Sequence, residues 1–383
     1  MKNALALSIS KDRVIVYGTV LAILASLPFM IFPSWFHNVA YRGDFANFWS
    51  AGANAGSSAL LDPARMAVWQ KAHGITPQIF VYPPAFAWLY APLAHFAPMV
   101  AMVLVDLVSI GLFAVSALLA ARIYGVQRWL AIVAVFAWGP VMNAWQVGQN
   151  TALALALTFA AILFVTRGRT TAAALAIGVL LYKPSIAVPF VLLLLIRREW
   201  RMLGIVAACA AFWYVAGALS AGGSWLWPET YARLIVQSNA GEFAGNAFKA
   251  YTLPTLLLAI GAPIAVAYAT AAGLFAAAVP LLARARALTA WSMVPAIGLA
   301  TSVHSWPYEA ALLLPTVFYA MRRLDQPLRE QVIVFAYVVA TLALIMPYAG
   351  HALGILAIGS AVWWVAAGYW KGARYAYRPA DAR

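Results

Sequence analysis

The chain has 383 residues, 65 % of them apolar and only 9 % charged, with a mean hydropathy of +0.84; ordinary soluble domains carry about 25 % charged residues, so that class is excluded. The net charge of +14 falls in short basic clusters between apolar runs, a distribution that excludes a nucleic-acid-binding stripe. The lone Cys209 excludes an intrachain disulfide and, inside an apolar run, reads as a packing residue.

Apolar stretches of about 20 residues, enough to cross ~30 Å of hydrocarbon, recur from end to end. The short alternating segments of a transmembrane barrel do not. The predicted fold class is therefore an all-α polytopic membrane protein. The first apolar run, Val14 to Pro33, follows Lys2, Lys11 and Arg13. Its length, and the lack of a small-residue cleavage site, predict a retained helix rather than a signal peptide. On span length about twelve crossings are expected. They run roughly over 14–33, 98–121, 128–144, 150–166, 170–182, 184–196, 202–219, 255–283, 288–302, 307–321, 331–347 and 351–370. Pro254 and Pro263 divide the long segment from Tyr251 to Ala283 into a short lead-in helix and the span itself.

Basic residues gather in alternate connections: Arg122 with Arg128, Arg167 with Arg169, Arg197 and Arg198 with Arg201, Arg284 with Arg286, Arg322 and Arg323 with Arg329, and the C-terminal Lys371, Arg374, Arg378 and Arg383. This positive-inside pattern places both termini in the cytoplasm. Two connections on the opposite side are long, 34–97 and 220–250. In the first, Trp49, Leu60, Leu61, Met66, Val68 and Trp69 are too apolar for a solvated linker and predict interfacial helices with aromatic faces turned to the bilayer. The loop returns through Phe80-Val81-Tyr82-Pro83-Pro84 and Pro92, where the prolines predict an extended strap. No repeat or low-complexity tract interrupts the pattern, so residues 1–383 read as one membrane domain whose outer loops form the functional face.

A charge at the membrane centre costs about 2.5–3.5 kcal/mol on insertion scales, so each ionisable group outside the cytoplasmic clusters needs a reason. The acids are Asp44, Asp62, Asp106, Glu229, Glu242 and Glu309; the basic or titratable partners are Arg42, Lys183, Lys249, His304 and His351. Several converge on one predicted depth. Asp44 follows the first span; Gln146, Gln149 and Asn150 lie between the third and fourth; Lys183 lies between the fifth and sixth; His304, Trp306 and Glu309 lie between the ninth and tenth. Plainer readings stand beside a functional one. Gln149 and Asn150 are placed to cap the helix that starts there, and Lys183 to snorkel to headgroups. His304 fits an unliganded interfacial histidine with Glu309 as its structural partner, and Asp106 fits a pairing with a neighbouring helix. Asp62-Pro63 has the form of a helix start, Glu229 and Glu242 of loop charges, and Asp44 of a solvated loop aspartate.

A sugar carried on a polyprenyl phosphate suits this layout, with its tail in the bilayer, its phosphate at headgroup depth and its sugar in the outer space. Its transfer needs a carboxylate to take the acceptor hydroxyl's proton, for which Asp44 is the candidate. It needs cationic groups for the departing phosphate: Lys183 and His304, with Arg42 and Lys249 in reserve. Tyr82, Gln149, Asn150, Trp306 and Glu309 are the candidates for holding sugar and acceptor. Side chains alone can neutralise a monophosphate, and no His/Cys/Asp cluster has ligand spacing, so no metal is expected. No Walker loop or dinucleotide glycine pattern is present, which argues against a nucleotide-activated donor; no cofactor is expected beyond the lipid-linked sugar. The expected partners are that donor, a lipid or glycan acceptor and membrane lipids, and no nucleic acid.

Gly43-Asp44-Phe45, Phe48-Trp49-Ser50-Ala51-Gly52, Val81-Tyr82-Pro83-Pro84 and Pro92-Leu93-Ala94, followed in order by Gly148-Gln149-Asn150, Lys183-Pro184 and His304-Ser305-Trp306, resemble the landmarks of glycosyltransferase family 87. The resemblance extends over roughly residues 14 to 350. It implies a GT-C fold, a polyprenyl-phosphate sugar donor (typically mannose), inversion at the anomeric centre, and an active site on the periplasmic face of a bacterial inner membrane. By the same resemblance Asp44 is the base and His304 a phosphate contact. Two other classes stay open: an outer-leaflet polysaccharide polymerase or ligase, and a transporter of lipid-linked sugars, which predicts inverted repeats and polar groups at mid-membrane. A non-catalytic assembly protein would tolerate change at Asp44.

Overall fold

The computed structural model describes residues 43–246, 251–302, 305–324, 328–345 and 349–370, and among the described residues there are helices and turns but no strand. The predicted first span, Arg42, Lys249 and His304 lie outside the described residues.

The chain enters through α1 (Gly43–Ala53) and α2 (Pro63–Ala72) and continues into the long α3 (Pro98–Tyr124). α3 stops where Gly125 turns left-handed at φ 73° and its N–H closes on the Ala121 carbonyl, a glycine C-cap. Next come α4 (Arg128–Phe136), α5 (Gly139–Gln146), α6 (Thr151–Thr166), α7 (Thr170–Leu180), α8 (Pro184–Ile196) and α9 (Trp200–Ser220). The rest is α10 (Trp227–Asn246), α11 (Leu253–Ala259), α12 (Ile264–Arg284), α13 (Ala287–Thr301), α14 (Leu314–Arg323), α15 (Leu328–Ile345) and α16 (Ala349–Trp370). Pro63, Pro98 and Pro184 open their helices at the first turn, where a missing N–H costs nothing.

The described residues are all helix and turn, and the helices are those of a membrane protein. α3, α9 and α12 are long and apolar enough to cross a membrane, and α6, α7, α8, α13 and residues 353–369 of α16 are apolar but shorter. The predicted crossing 128–144 is divided into α4 and α5, because Pro140 lacks an N–H to continue the ladder and Gly139 lies directly against the Ala340 carbonyl. The predicted span 307–321 starts as a 3₁₀ turn, Pro307–Leu313, before α14. The lead-in helix expected from Pro254 and Pro263 is α11, followed by α12. Cys209 on α9 packs on Gly178 of α7, where any larger residue would meet its sulfur.

Two corrections concern the first outer loop. Most of its named apolar residues do not turn to the bilayer: Phe48, Trp49, Leu60 and Met66 are buried in the protein, while Val68, Trp88 and Phe96 are exposed. Phe48 stacks on Tyr90 (centroids 5.0 Å apart) and meets Tyr82 edge-on at 5.0 Å, and Phe86 stacks on Tyr182 at 4.4 Å. Offset and edge-on ring pairs of this kind add about 0.5–1.5 kcal/mol beyond area burial, so the rings hold the loop to the bundle. The strap is extended only up to Pro83. Pro84–Leu89 and Pro92–His95 are 3₁₀ turns, since a proline at the first helical position has the right φ and needs no donor.

The helices also set polarity. α6 runs 16 residues from the Gln149-Asn150 turn to Arg167, and α8 runs from Lys183 to Arg197. The polar turns therefore sit at one end of the bundle, and the basic clusters at the other, about 24 Å away by helix rise. At the basic end Arg197 donates to the Leu282 and Ala285 carbonyls (3.1 and 2.8 Å) and Arg322 to the Ile123 carbonyl (3.0 Å), satisfying carbonyls that helix ends leave open.

Candidate active site

Asp44 lies in the first turn of α1, where the helix dipole favours a carboxylate. It is half-buried rather than solvated as a loop residue. α1 docks end-on against the turn between α5 and α6: the Phe45 N–H donates to the Val147 carbonyl at 3.2 Å. This approach needs glycine at position 148, which has φ +70° and whose absent Cβ would overlap Phe45. Gly148→Ala should therefore both strain the turn and push α1 away. We expect a stability loss of about 1–3 kcal/mol, the usual range for such backbone strain. Transfer activity should fall by more than that loss explains, as measured by thermal unfolding and turnover on one sample.

Gln149 links the acid to the rest of the site. Its Nε2 donates to Asp44 Oδ2 at 3.2 Å, and its Oε1 accepts from the Tyr82 hydroxyl at 3.0 Å and from the Asn150 N–H at 3.1 Å. With both donors on the carbonyl side, the amide can present only its NH₂ to Asp44. The capping reading fails: Asn150 occupies the N-cap of α6, but its side chain caps nothing. Both of its amide atoms are buried without a hydrogen bond.

Lys183, in the turn before α8, does not snorkel. It and Glu309 are each 4 % exposed, and Nζ lies 3.1 Å from Glu309 Oε1. An ammonium carries three N–H donors, so the ion pair with Glu309 does not use all of them. The ammonium also sits 5.8 Å from the Tyr82 ring centre and 5.1 Å from that of Tyr308, within cation–π range. Glu309 Oε2 accepts from the Trp306 N–H at 3.2 Å, which fixes the start of the Pro307–Leu313 turn. Glu309 is thus the partner of Lys183, and Trp306 meets it through its backbone. Burial alone would lower the Lys183 pKa, but the Glu309 carboxylate 3.1 Å away opposes it, and the ammonium is held above the ordinary lysine value. Burial pushes the Tyr82 phenol up, with Lys183 drawing it part of the way back, so it stays a neutral donor to Gln149.

The structure thus joins Asp44, Gln149, Tyr82, Lys183, Glu309 and Trp306 in one chain of contacts from five segments of sequence. Arg42, Lys249 and His304 fall outside the described residues. Asp62 caps α2 by accepting from Ala64 and Arg65 N–H (3.0 and 3.2 Å), away from this chain; Asp106 is half-buried on α3. One contributor had no signal in the sequence. Gln70, fully buried on α2, donates to Ser50 Oγ (3.0 Å) and the Gln78 carbonyl (3.2 Å) and accepts from the Gln78 N–H (2.8 Å). It ties α1, α2 and the strap together behind Asp44.

The profile of glycosyltransferase family 87 matches residues 80–347, well over half of the chain. The chain belongs to glycosyltransferase family 87. The matched span includes Tyr82, Gln149, Asn150, Lys183, His304, Trp306 and Glu309, whereas Asp44 and the Gly43–Gly52 motif precede it, so the match is shorter at its start than the resemblance of motifs. No curated protein and no solved structure matches the chain. Family membership makes this protein a glycosyltransferase.

Proposed function

We propose that this glycosyltransferase moves a sugar, mannose in our reading, from a polyprenyl-phosphate donor to a hydroxyl of a lipid or glycan acceptor, with inversion. One observation carries the proposal. A half-buried carboxylate, Asp44, is aimed by Gln149, which is itself fixed by Tyr82, and Tyr82 also lies against the buried cation Lys183. A base and a phosphate-receiving cation are the two groups that such a displacement requires.

In the proposed step the acceptor oxygen attacks the anomeric carbon as Asp44 takes its proton. The bond from that carbon to the phosphate oxygen breaks, and the phosphate leaves with the electron pair. Lys183 offers the N–H donors that Glu309 does not take to the developing charge, with His304, Arg42 and Lys249 as further candidates. Gln149 acts through Asp44, while Tyr82, Asn150, Trp306 and Glu309 shape the sugar side. Attack opposite the leaving phosphate inverts the centre. We assign the single domain 1–383 to the GT-C class and place the site on the periplasmic face of a bacterial inner membrane, both termini being cytoplasmic. The support is the separation of the polar turns from the arginine clusters.

Purified protein in lipid nanodiscs, given labelled polyprenyl-phosphate mannose or a nucleotide-activated mannose with a membrane-lipid extract as acceptor, tests the donor class. Label should pass only from the polyprenyl phosphate. Transfer from the nucleotide donor alone would overturn the reading.

A further inference from the structure

Among the described residues, three buried side chains near the ion pair carry polar atoms that lie in no hydrogen bond of ordinary geometry. Asn150 (7 % exposed) leaves both Oδ1 and Nδ2 unpaired, Tyr251 (0 %) its hydroxyl and Ser305 (1 %) its Oγ. A buried polar atom left without a partner costs about 1–3 kcal/mol, so several in one place call for a ligand that pairs them.

They share a neighbourhood. The Asn150 amide lies beside the Tyr82 hydroxyl, and the Tyr251 hydroxyl lies beside Ser305 and within the field of the Glu309 carboxylate. Ser305 immediately precedes Trp306, whose N–H holds Glu309. Tyr251 is fixed from behind: its carbonyl lies so close to Gly354 of α16 that an added Cβ there would come within 3.0 Å. The groups come from the α6 N-terminus, the approach to α11 and the approach to the Pro307–Leu313 turn, so no single helix explains their meeting.

Their chemistry selects among ligands. All three are neutral, so they suit the uncharged hydroxyls of a ligand rather than its phosphate. Hydroxyls both donate and accept, and an amide with both atoms open donates with one and accepts with the other, the pattern that adjacent hydroxyls of a pyranose require.

We propose that Asn150, Tyr251 and Ser305 form a closed polar sub-site, beside the Lys183–Glu309 pair, that holds the ring hydroxyls of the donor sugar and decides which sugar is accepted. The proposal rests on the lipid-phosphate donor reading above and adds the residues that discriminate sugars. The probes are polyprenyl-phosphate mannose and polyprenyl-phosphate glucose, which differ at one hydroxyl, offered to the wild type and to Tyr251→Phe, Ser305→Ala and Asn150→Ala. Losing one neutral hydrogen bond corresponds to roughly 2- to 10-fold. Each variant should therefore raise KM for the preferred donor and shrink the preference between the two sugars by that factor. Thermal stability without donor should be unchanged or higher in Tyr251→Phe, because an unpaired buried hydroxyl is removed; a purely structural tyrosine would instead lose stability. Wild-type turnover of one donor with undiminished selectivity in the variants would overturn the sub-site alone. A wild type that uses neither donor would overturn it together with the donor reading.

Discussion

Asp44→Asn is expected to lower kcat by about 10²- to 10⁴-fold, the contribution of a well-placed general base, while the KM for donor changes little. The substitution is nearly isosteric, and the side-chain carbonyl of asparagine still accepts from Gln149 Nε2, so the link seen at 3.2 Å survives. The backbone bond from Phe45 to Val147 does not involve the side chain, so α1 stays docked. What disappears is a basic oxygen. Folded yield and unfolding temperature should match the wild type, which separates a chemical loss from a structural one. Asp44→Glu keeps the base but moves it by one methylene against a fixed amide, so it should retain partial activity. Transfer by Asp44→Asn at near wild-type rate would refute the assignment.

The second large effect concerns Lys183 and Glu309. Removing one member of a buried pair strands the other charge, which typically costs 3–5 kcal/mol, so Lys183→Met and Glu309→Gln should each unfold at markedly lower temperature. Replacing both removes the stranded charge. Because a buried pair is often no better than its uncharged substitute, the double variant should recover most of the lost stability. Its activity should not recover, since no cation would remain at that position to receive the phosphate. A double variant that regains turnover along with stability would show the pair to be scaffolding only. The lysine's raised pKa has a further consequence. Its contribution to stability is complete below the ordinary lysine range and is lost only as pH rises through the still higher native value. Neither stability nor turnover should thus show a Lys183-dependent change between pH 6 and pH 9.

Helix starts at Pro98, Arg128, Thr151, Thr170 and Pro184 were legible within a residue or so, because a proline or a polar turn precedes each apolar run. The break at Gly139-Pro140 was not, since the flanking residues are apolar throughout and only contact with Ala340 explains the glycine. The first outer loop reads as apolar from its composition, but composition does not say whether Phe48 and Trp49 face lipid or the protein; ring-to-ring packing with Tyr82, Phe86 and Tyr90 decided that. In the site, convergence of Asp44, Gln149 and Lys183 at one level followed from counting spans. The pairing of Lys183 with Glu309, far apart in sequence, did not, because ion-pair partners leave no periodic signal. Tyr251 and Ser305 were missed as functional candidates for a related reason: a single hydroxyl in apolar surroundings becomes informative only when its lack of a partner is visible.

The account turns on where the lipid phosphate binds. A structure determined with a non-hydrolysable polyprenyl-phosphonate sugar would locate it directly. The prediction is a phosphonate in hydrogen-bonding reach of Lys183, with the anomeric carbon between it and the Asp44 carboxylate. A headgroup bound instead at the opposite end, among Arg197, Arg284 and Arg322, would contradict the account.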